Sequence, residues 1–375
     1  MQLSPVLSEL AQYPFARLDD WKAEAAATGV ELIDFGMGDP REVTPAFIRE
    51  ALASSIEAVS SYPRATGLPE LREAVAGWID RRFGFDVDPT REVVPTLGSK
   101  EAIFSFAQIV LGAKRLVAVP EPAYPVYERG ALFAGGSVVT VPLSEASGWL
   151  PDLDAFDAWD EIALFWVCYP NNPTGAVAPL SFYEELAERA REHGFVLCSD
   201  EAYSELWFEE PPVSALQVED RTNVAVFNTL SKRSSMTGYR SGFVCAPPDV
   251  CDALRAFRPT VGTAPQEFVQ RASVAAWSDD AHVEDVRALY RHKRETLLPA
   301  LEEGGLRLAG SEATFYLWCD VGGPSVEFAR HLLGHGVVVA PGSFFGASGE
   351  GYARFALVPT QAECERAAAI LREVL

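Results

Sequence analysis

From about residue 91 the chain alternates short apolar runs with longer amphipathic stretches. The runs 93–97, 116–119, 137–141, 162–168, 195–198, 224–227 and 242–245 are rich in Val, Ile, Leu and Phe, the pattern of strands buried on both faces. Helical spacing fills 100–111, 124–133 and 180–193 between them. Strands alternating with helices predict a largely parallel sheet covered on both faces, an α/β fold. Upstream, Pro14 to Trp21 reads as a loop running into a helix that ends at Gly29, and 31–35 as a short strand that breaks into Gly36-Met37-Gly38-Asp39-Pro40, whose backbone can approach a ligand closely. A helix over 45–59 capped by Thr44, a loop exposing Tyr62 and a helix over 69–83 follow. Beyond residue 264 the rhythm changes. Helices to 277 and over 282–302, 325–333 and 361–375 mingle with strands at 306–308, 315–319, 337–339 and 352–357, a smaller α+β unit. The first 45 residues are too short to fold alone, so the expected division is a large domain over 46–263 and a small one from 1–45 and 264–375.

With 375 residues, 48% of them hydrophobic, the chain has material for two such cores. Its 53 acidic against 31 basic residues give a net charge of −22, which excludes a general nucleic-acid or anionic-membrane surface and makes any local cluster of cations informative. The six cysteines, at 168, 198, 245, 251, 319 and 364, form no CxxC, so buried reduced thiols, a cytosolic location and no metal site are expected. The opening MQLSPVLSELAQYPF has no basic start ahead of an apolar core, so no signal peptide is expected, and no apolar run approaches the roughly 18 residues of a membrane helix.

In an open parallel sheet, ligands bind beyond the carboxyl ends of the strands. After the run 224–227 come Thr229, Ser231 and Lys232, with Arg240 eight residues further on. A lysine at a strand end can trap a carbonyl as a Schiff base once its surroundings hold it near neutral. Two hydroxyls and a guanidinium are the donors that hold a phosphate. Gly98, Ser99 and Lys100 open a helix after 93–97, and its free N–H groups favour a phosphate as well. Lysine plus phosphate site suggests pyridoxal phosphate. Asp200 and Tyr203 follow 195–198, and Asn172 lies in the YPNNPTG that follows 162–168. An aspartate keeps a pyridine nitrogen protonated, Tyr203 and Asn172 offer donors to a phenolic oxygen, and Tyr124 can cover a ring face. Taken singly, an Asp after a strand is usually a helix cap and NPTG is a good turn; their joint occurrence points to a site.

These segments resemble the class I/II aminotransferases of the fold-type I pyridoxal-phosphate family over nearly the whole chain. The resemblance is carried by YPRATGLPELREA around Tyr62, Gly98-Ser99-Lys100, PAYP around Tyr124, NNPTG, Asp200-Glu-Ala-Tyr203, Ser231-Lys232 with GYRSG, and Tyr352-Ala-Arg354-Phe355. It implies a mostly parallel seven-stranded sheet with a smaller α+β domain, and a ping-pong transfer of an amino group from an amino acid to a keto acid. Lys232 would form the Schiff base and later move the proton between the substrate's α carbon and the cofactor's C4′. Asp200 would hold the pyridinium, Asn172 and Tyr203 the ring oxygen, and Tyr124 would stack on the ring. Gly98, Ser99, Lys100, Thr229, Ser231 and Arg240 resemble the family's phosphate cup. Tyr62 would reach the partner subunit's phosphate, which implies a homodimer with shared active sites. Arg354 would pair with the substrate α-carboxylate, assisted by the Gly38 backbone and Asn172.

Tyr13-Pro-Phe-Ala-Arg17-Leu and Asp34-Phe-Gly-Met-Gly-Asp-Pro-Arg41-Glu42 look most like the succinyldiaminopimelate transaminases of lysine biosynthesis, with glutamate as amino donor. A distal carboxylate on such a substrate needs a further cation; Arg17, Arg41 and Lys100 are the candidates. Aspartate, alanine or LL-diaminopimelate aminotransferases and a pyridoxal-phosphate carbon–sulfur lyase would share the same cofactor residues. A non-enzymatic regulator is disfavoured, since no helix-turn-helix segment or basic arm is seen.

Overall fold

The computed structural model describes residues 4–9 and 13–375; residues 1–3 and 10–12, part of the opening read as lacking a signal peptide, lie outside them. In chain order the strands are β1 Ile33–Asp34, β2 Val93–Thr96, β3 Leu116–Glu121, β4 Ser137–Pro142, β5 Ile162–Cys168, β6 Val196–Asp200, β7 Val224–Thr229, β8 Gly242–Cys245, β9 Arg307–Leu308, β10 Tyr316–Asp320, β11 Val337–Val338, β12 Ala340–Pro341 and β13 Tyr352–Ala356. Seven of them form one sheet in the order β2-β8-β7-β6-β5-β3-β4. Neighbours pair in parallel except around β8, which is antiparallel to both β2 and β7. The sheet is thus mostly parallel, as the apolar runs require.

All seven residues of β5 are buried, and its side chains serve the two faces in alternation. Phe165 and Val167 join the core on one face, whereas Leu164, Trp166 and Cys168 join the core on the other. The first face is covered by the helices Pro69–Phe83 and Leu180–His193, the second by Gly98–Val110, Val126–Phe133 and Pro248–Phe257. A second, four-stranded sheet runs β12-β13-β10-β9, all antiparallel, while β1 pairs in parallel with β11. Ile33 and Phe35 enter the core beneath this smaller sheet, beside Leu297, Phe315, Phe355 and Leu371.

Several elements depart from the sequence expectation. The helix Pro248–Phe257 was not foreseen, because Pro247-Pro248 reads as loop although a proline at a first helical position is itself a start signal. The helix expected over 45–59 runs only Ala46–Ser54, and Thr44 does not cap it: its hydroxyl donates to the Ser235 carbonyl, 2.6 Å away. The helix Glu267–Trp277, placed by its sequence position in the smaller unit, packs against the helices Ala46–Ser54 and Pro69–Phe83 on the large sheet. Among the described residues no helix is long and apolar enough to cross a membrane.

Candidate active site

The register of the large sheet sets the carboxyl ends of β5, β6 and β7 side by side: Cys168 pairs with Asp200, Asp200 with Phe227, and Thr229 with Gly242. A cavity of about 550 Å³ opens beyond this edge, closed on its far side by Met37, Gly38, Asp39, Tyr316 and Arg354. Its floor and walls carry Ser99, Lys100, Tyr124, Asn172, Asp200, Tyr203, Thr229, Ser231, Lys232 and Arg240, so residues expected from five separate segments meet in one place.

Lys232 sits in a one-turn helix, Leu230–Arg233, rather than in the loop that the sequence suggests. Thr229 creates that turn, its hydroxyl accepting from the Ser231 N–H at 3.1 Å. The amine donates to the Gly38 carbonyl at 2.5 Å. Burial pushes its pKa down to about 8; Asp39 draws it up, while Arg354 and Arg240 lower it further. At pH 7.5 roughly a quarter of such an amine is neutral, against about one part in a thousand for an ordinary lysine. Capture of an added aldehyde by the cofactor-free protein should therefore speed up with pH and level off above about 8. Stopped-flow absorbance across pH 6–11 checks this; a rate still climbing at pH 10 would mean an ordinary lysine.

At one end of the cavity the helix Gly98–Val110 begins. Gly98 has φ +71°, a left-handed conformation that strains any other residue, and a Cβ there would press on Arg240 Nη2, 2.6 Å away. Arg240 is itself left-handed, φ 55°, and donates to the Thr237 and Leu97 carbonyls at 2.9 and 3.2 Å. With the helix N–H groups, the hydroxyls of Ser99, Thr229 and Ser231 and the Lys100 amine nearby, this corner is a donor-rich pocket for a dianion. The Lys100 amine lies 5.8 Å from the ring centres of both Tyr13 and Tyr124, and burial, then Arg240, lowers its pKa.

In the middle stands Asp200, 4% exposed. Its carboxylate accepts from the Tyr127 hydroxyl at 2.8 Å and the Ala202 N–H at 3.2 Å, and burial pushes its pKa up to about 6. A buried carboxylate raised in this way is stabilised by a cation placed against it, which a protonated pyridine ring supplies. The donor-rich corner, the buried acid and the lysine of lowered pKa together fit pyridoxal phosphate. The Tyr203 hydroxyl meets that of Tyr316 at 2.8 Å.

Arg354 closes the other end, 2% exposed. It donates to Asn172 Oδ1 at 2.7 Å and to the Gly36 carbonyl at 2.8 Å, and its Nε has no partner among the described residues. Its guanidinium lies 4.2 Å from the Tyr316 ring centre and 4.6 Å from that of Phe345. No carboxylate lies within ion-pair distance of it among the described residues. A buried cation without a counter-ion is a place for an anionic ligand.

Three expected residues lie elsewhere. Tyr62 is 100% exposed, outside the cavity of its own chain. Arg17 turns its guanidinium onto the rings of Trp21 and Phe344, 5.6 and 5.3 Å from their centres. Arg41 is half exposed, 3.9 Å from the Asp34 carboxylate. Neither arginine lines the cavity, because an aromatic surface claims one and an acidic neighbour the other. Conversely, Tyr127, Tyr316 and Asp39 were missed. Tyr127 lies three residues after Tyr124, where helix spacing could have drawn attention to it. Tyr316 sits inside an apolar strand and carries no signal that separates it from core.

A lysine at the edge of a mostly parallel sheet, with an acid and a phosphate corner around it, defines a pyridoxal-phosphate enzyme of the fold-type I architecture. The family described as Aminotransferase class I and II matches residues 30–371. LL-diaminopimelate aminotransferases of Nitratidesulfovibrio vulgaris strain DP4 and Aquifex aeolicus are each 41% identical over 377 residues, covering 98% of this chain and 97% of theirs. The Thermus thermophilus aspartate aminotransferase with maleate superposes with a TM-score of 0.92 at 31% identity, covering all of both chains. A probable N-succinyldiaminopimelate aminotransferase of Thermus thermophilus gives 0.90 at 32%, covering 96% of this chain and all of that one. The chain belongs to the class I and II aminotransferases, uses pyridoxal phosphate, and acts on amino acids and keto acids.

Proposed function

We propose that the chain moves an amino group from glutamate to the keto acid of a long dicarboxylic amino acid of the diaminopimelate type, releasing 2-oxoglutarate. The observation that carries this is Arg354, a buried cation with no counter-ion, across the cavity from Lys232. Its planar fork suits an α-carboxylate, and such a grip presents the α carbon toward Lys232. Pyridoxal phosphate supplies an electron-withdrawing ring conjugated to that carbon. Asp200 would hold the ring nitrogen protonated, Tyr203 and Asn172 would donate to its phenolic oxygen, and Tyr124 would cover one face. Gly98, Ser99, Thr229, Ser231 and Arg240 would hold the phosphate. The Lys232 amine, its pKa lowered by burial, would take the proton from the α carbon and pass it to C4′ of the cofactor, and move it back in the second half of the cycle.

Of the three cations expected to serve a distal carboxylate, only Lys100 lines the cavity, and we assign that role to it. The 41% relatives weigh toward unacylated LL-diaminopimelate as substrate. The segments around Arg17 and Arg41 and the Thermus likeness favour the N-succinyl form as the second reading. A half-reaction screen separates them. Loss of the visible absorbance should be fast with glutamate and one of the two diaminopimelates, and slow with alanine and aspartate. Alanine as the fastest donor would sink the long-substrate reading, and release of sulfide or thiol without amine exchange would favour a carbon–sulfur lyase.

We further assign the working form to a cytosolic homodimer organised as two units, 46–263 and 1–45 with 264–375, the helix Glu267–Trp277 going with the larger one. Val43, Ile56, Val59 and Tyr62 are strongly exposed in the lone chain, an apolar strip that a second copy would cover. Six buried free cysteines suit a reducing compartment. Tyr62→Phe should release the cofactor several-fold faster, because it removes a phosphate donor supplied across the interface. A monomeric mass of 40.8 kDa by light scattering would overturn the shared site.

A further inference from the structure

The phosphate corner contains a charge that works against it. Glu101 lies in the first turn of the helix Gly98–Val110, the turn whose N–H groups face the cavity. A carboxylate there stabilises the helix end but competes with, and repels, a phosphate seated on the same turn. Behind it stands Arg258, at the end of the helix Pro248–Phe257 and fully buried. Arg258 Nη1 donates to both Glu101 oxygens, at 2.9 and 2.7 Å, and its other two nitrogens have no partner among the described residues. Glu101 Oε2 in turn accepts from the Leu97 N–H at 3.3 Å, while the Leu97 carbonyl receives Arg240 Nη2 at 3.2 Å. An unbroken line of contacts therefore runs from Arg258 through Glu101 and one peptide residue to the guanidinium of the phosphate corner. Neither Glu101 nor Arg258 lines the main cavity.

On this line of contacts we propose that Arg258 is a positioning residue for the cofactor phosphate: it pins Glu101 against the Leu97 turn and cancels its charge, so that Gly98, Ser99 and Arg240 can accept a dianion. This rests on the assignment of that corner to the phosphate. It also explains why a fully buried arginine is kept with two of its three nitrogens unused, since its net charge rather than its full hydrogen bonding is what the corner needs.

The test compares equilibrium binding of pyridoxal phosphate and of pyridoxal, which lacks the phosphate, to cofactor-free protein. Arg258→Gln should weaken pyridoxal phosphate about ten-fold, more at low ionic strength, and leave pyridoxal unchanged. Glu101→Gln, which keeps an acceptor for Leu97 while removing the charge, should raise the preference for the phosphorylated form, and adding it to Arg258→Gln should restore most of the lost affinity. Equal weakening of both ligands by Arg258→Gln, or a double variant as weak as Arg258→Gln alone, would overturn the proposal. If Arg258→Gln does not fold, Glu101→Gln still decides: a fall in the phosphate preference overturns it. Arg240→Gln serves as the reference. If it leaves pyridoxal phosphate binding unchanged, the phosphate corner itself is misassigned; if it weakens binding while Arg258→Gln does not, only the present inference fails.

Discussion

Lys232→Ala should abolish turnover, lowering kcat for glutamate half-transamination by at least about 10⁴-fold, the scale set by removing both a nucleophile and the proton-transfer group. The visible absorbance that lysine-bound cofactor shows should vanish with it, while the far-ultraviolet circular dichroism stays as it was. The size of the effect follows from the surroundings of the amine. Burial already lowers its pKa to about 8, the Gly38 carbonyl 2.5 Å away fixes its direction, and among the described residues no other amine of the cavity stands in its place. Lys100, the other amine lining the cavity, lies over Tyr13 and Tyr124. Residual turnover near the parent rate would remove Lys232 from the chemistry altogether.

Arg354→Ala is the second large effect. It should raise KM for every amino acid and lower kcat/KM by about 30- to 4000-fold, the equivalent of the roughly 2–5 kcal/mol lost when one partner of a buried charge pair is removed. A simple amine without a carboxylate should be indifferent to the change, which separates lost recognition from damage to the fold. The substitution also removes the donors to Asn172 Oδ1 and the Gly36 carbonyl, so a modest fall in thermal stability should accompany it. An unchanged KM would show that the carboxylate is held elsewhere.

How much of this was legible beforehand depended on where each residue lies. Asp200, Asn172 and Lys232 stand at or just beyond the ends of runs that are apolar on both faces, and such runs announce themselves; the residues that follow them are then candidates by position alone. Arg17 and Arg41 lie in segments without that frame. Their sequence neighbourhood could not say that Trp21 and Phe344 would take one guanidinium and that Asp34 would stand beside the other. Tyr316 stayed hidden for a different reason, since an aromatic within a buried strand looks the same whether it fills core or faces a cavity. Strand direction was equally out of reach: nothing in Gly242–Cys245 itself distinguishes a parallel from an antiparallel neighbour.

That one reversed strand has a mechanical consequence. Because β8 runs against β7, the chain leaves the sheet at Thr229 and re-enters it at Gly242 along the same edge, directly opposite its point of departure. Residues 230–241 therefore form a single handle fixed at both feet, and Lys232 and Arg240 ride on it together. Had β8 been parallel, the connection would have had to cross the whole length of the sheet, and the covalent tether and the phosphate grip would have come from separate parts. As built, the distance between them is set by one span of chain, so inserting or deleting a residue there would misalign both ends of the cofactor at once, whereas the other elements of the cavity could drift without changing that spacing.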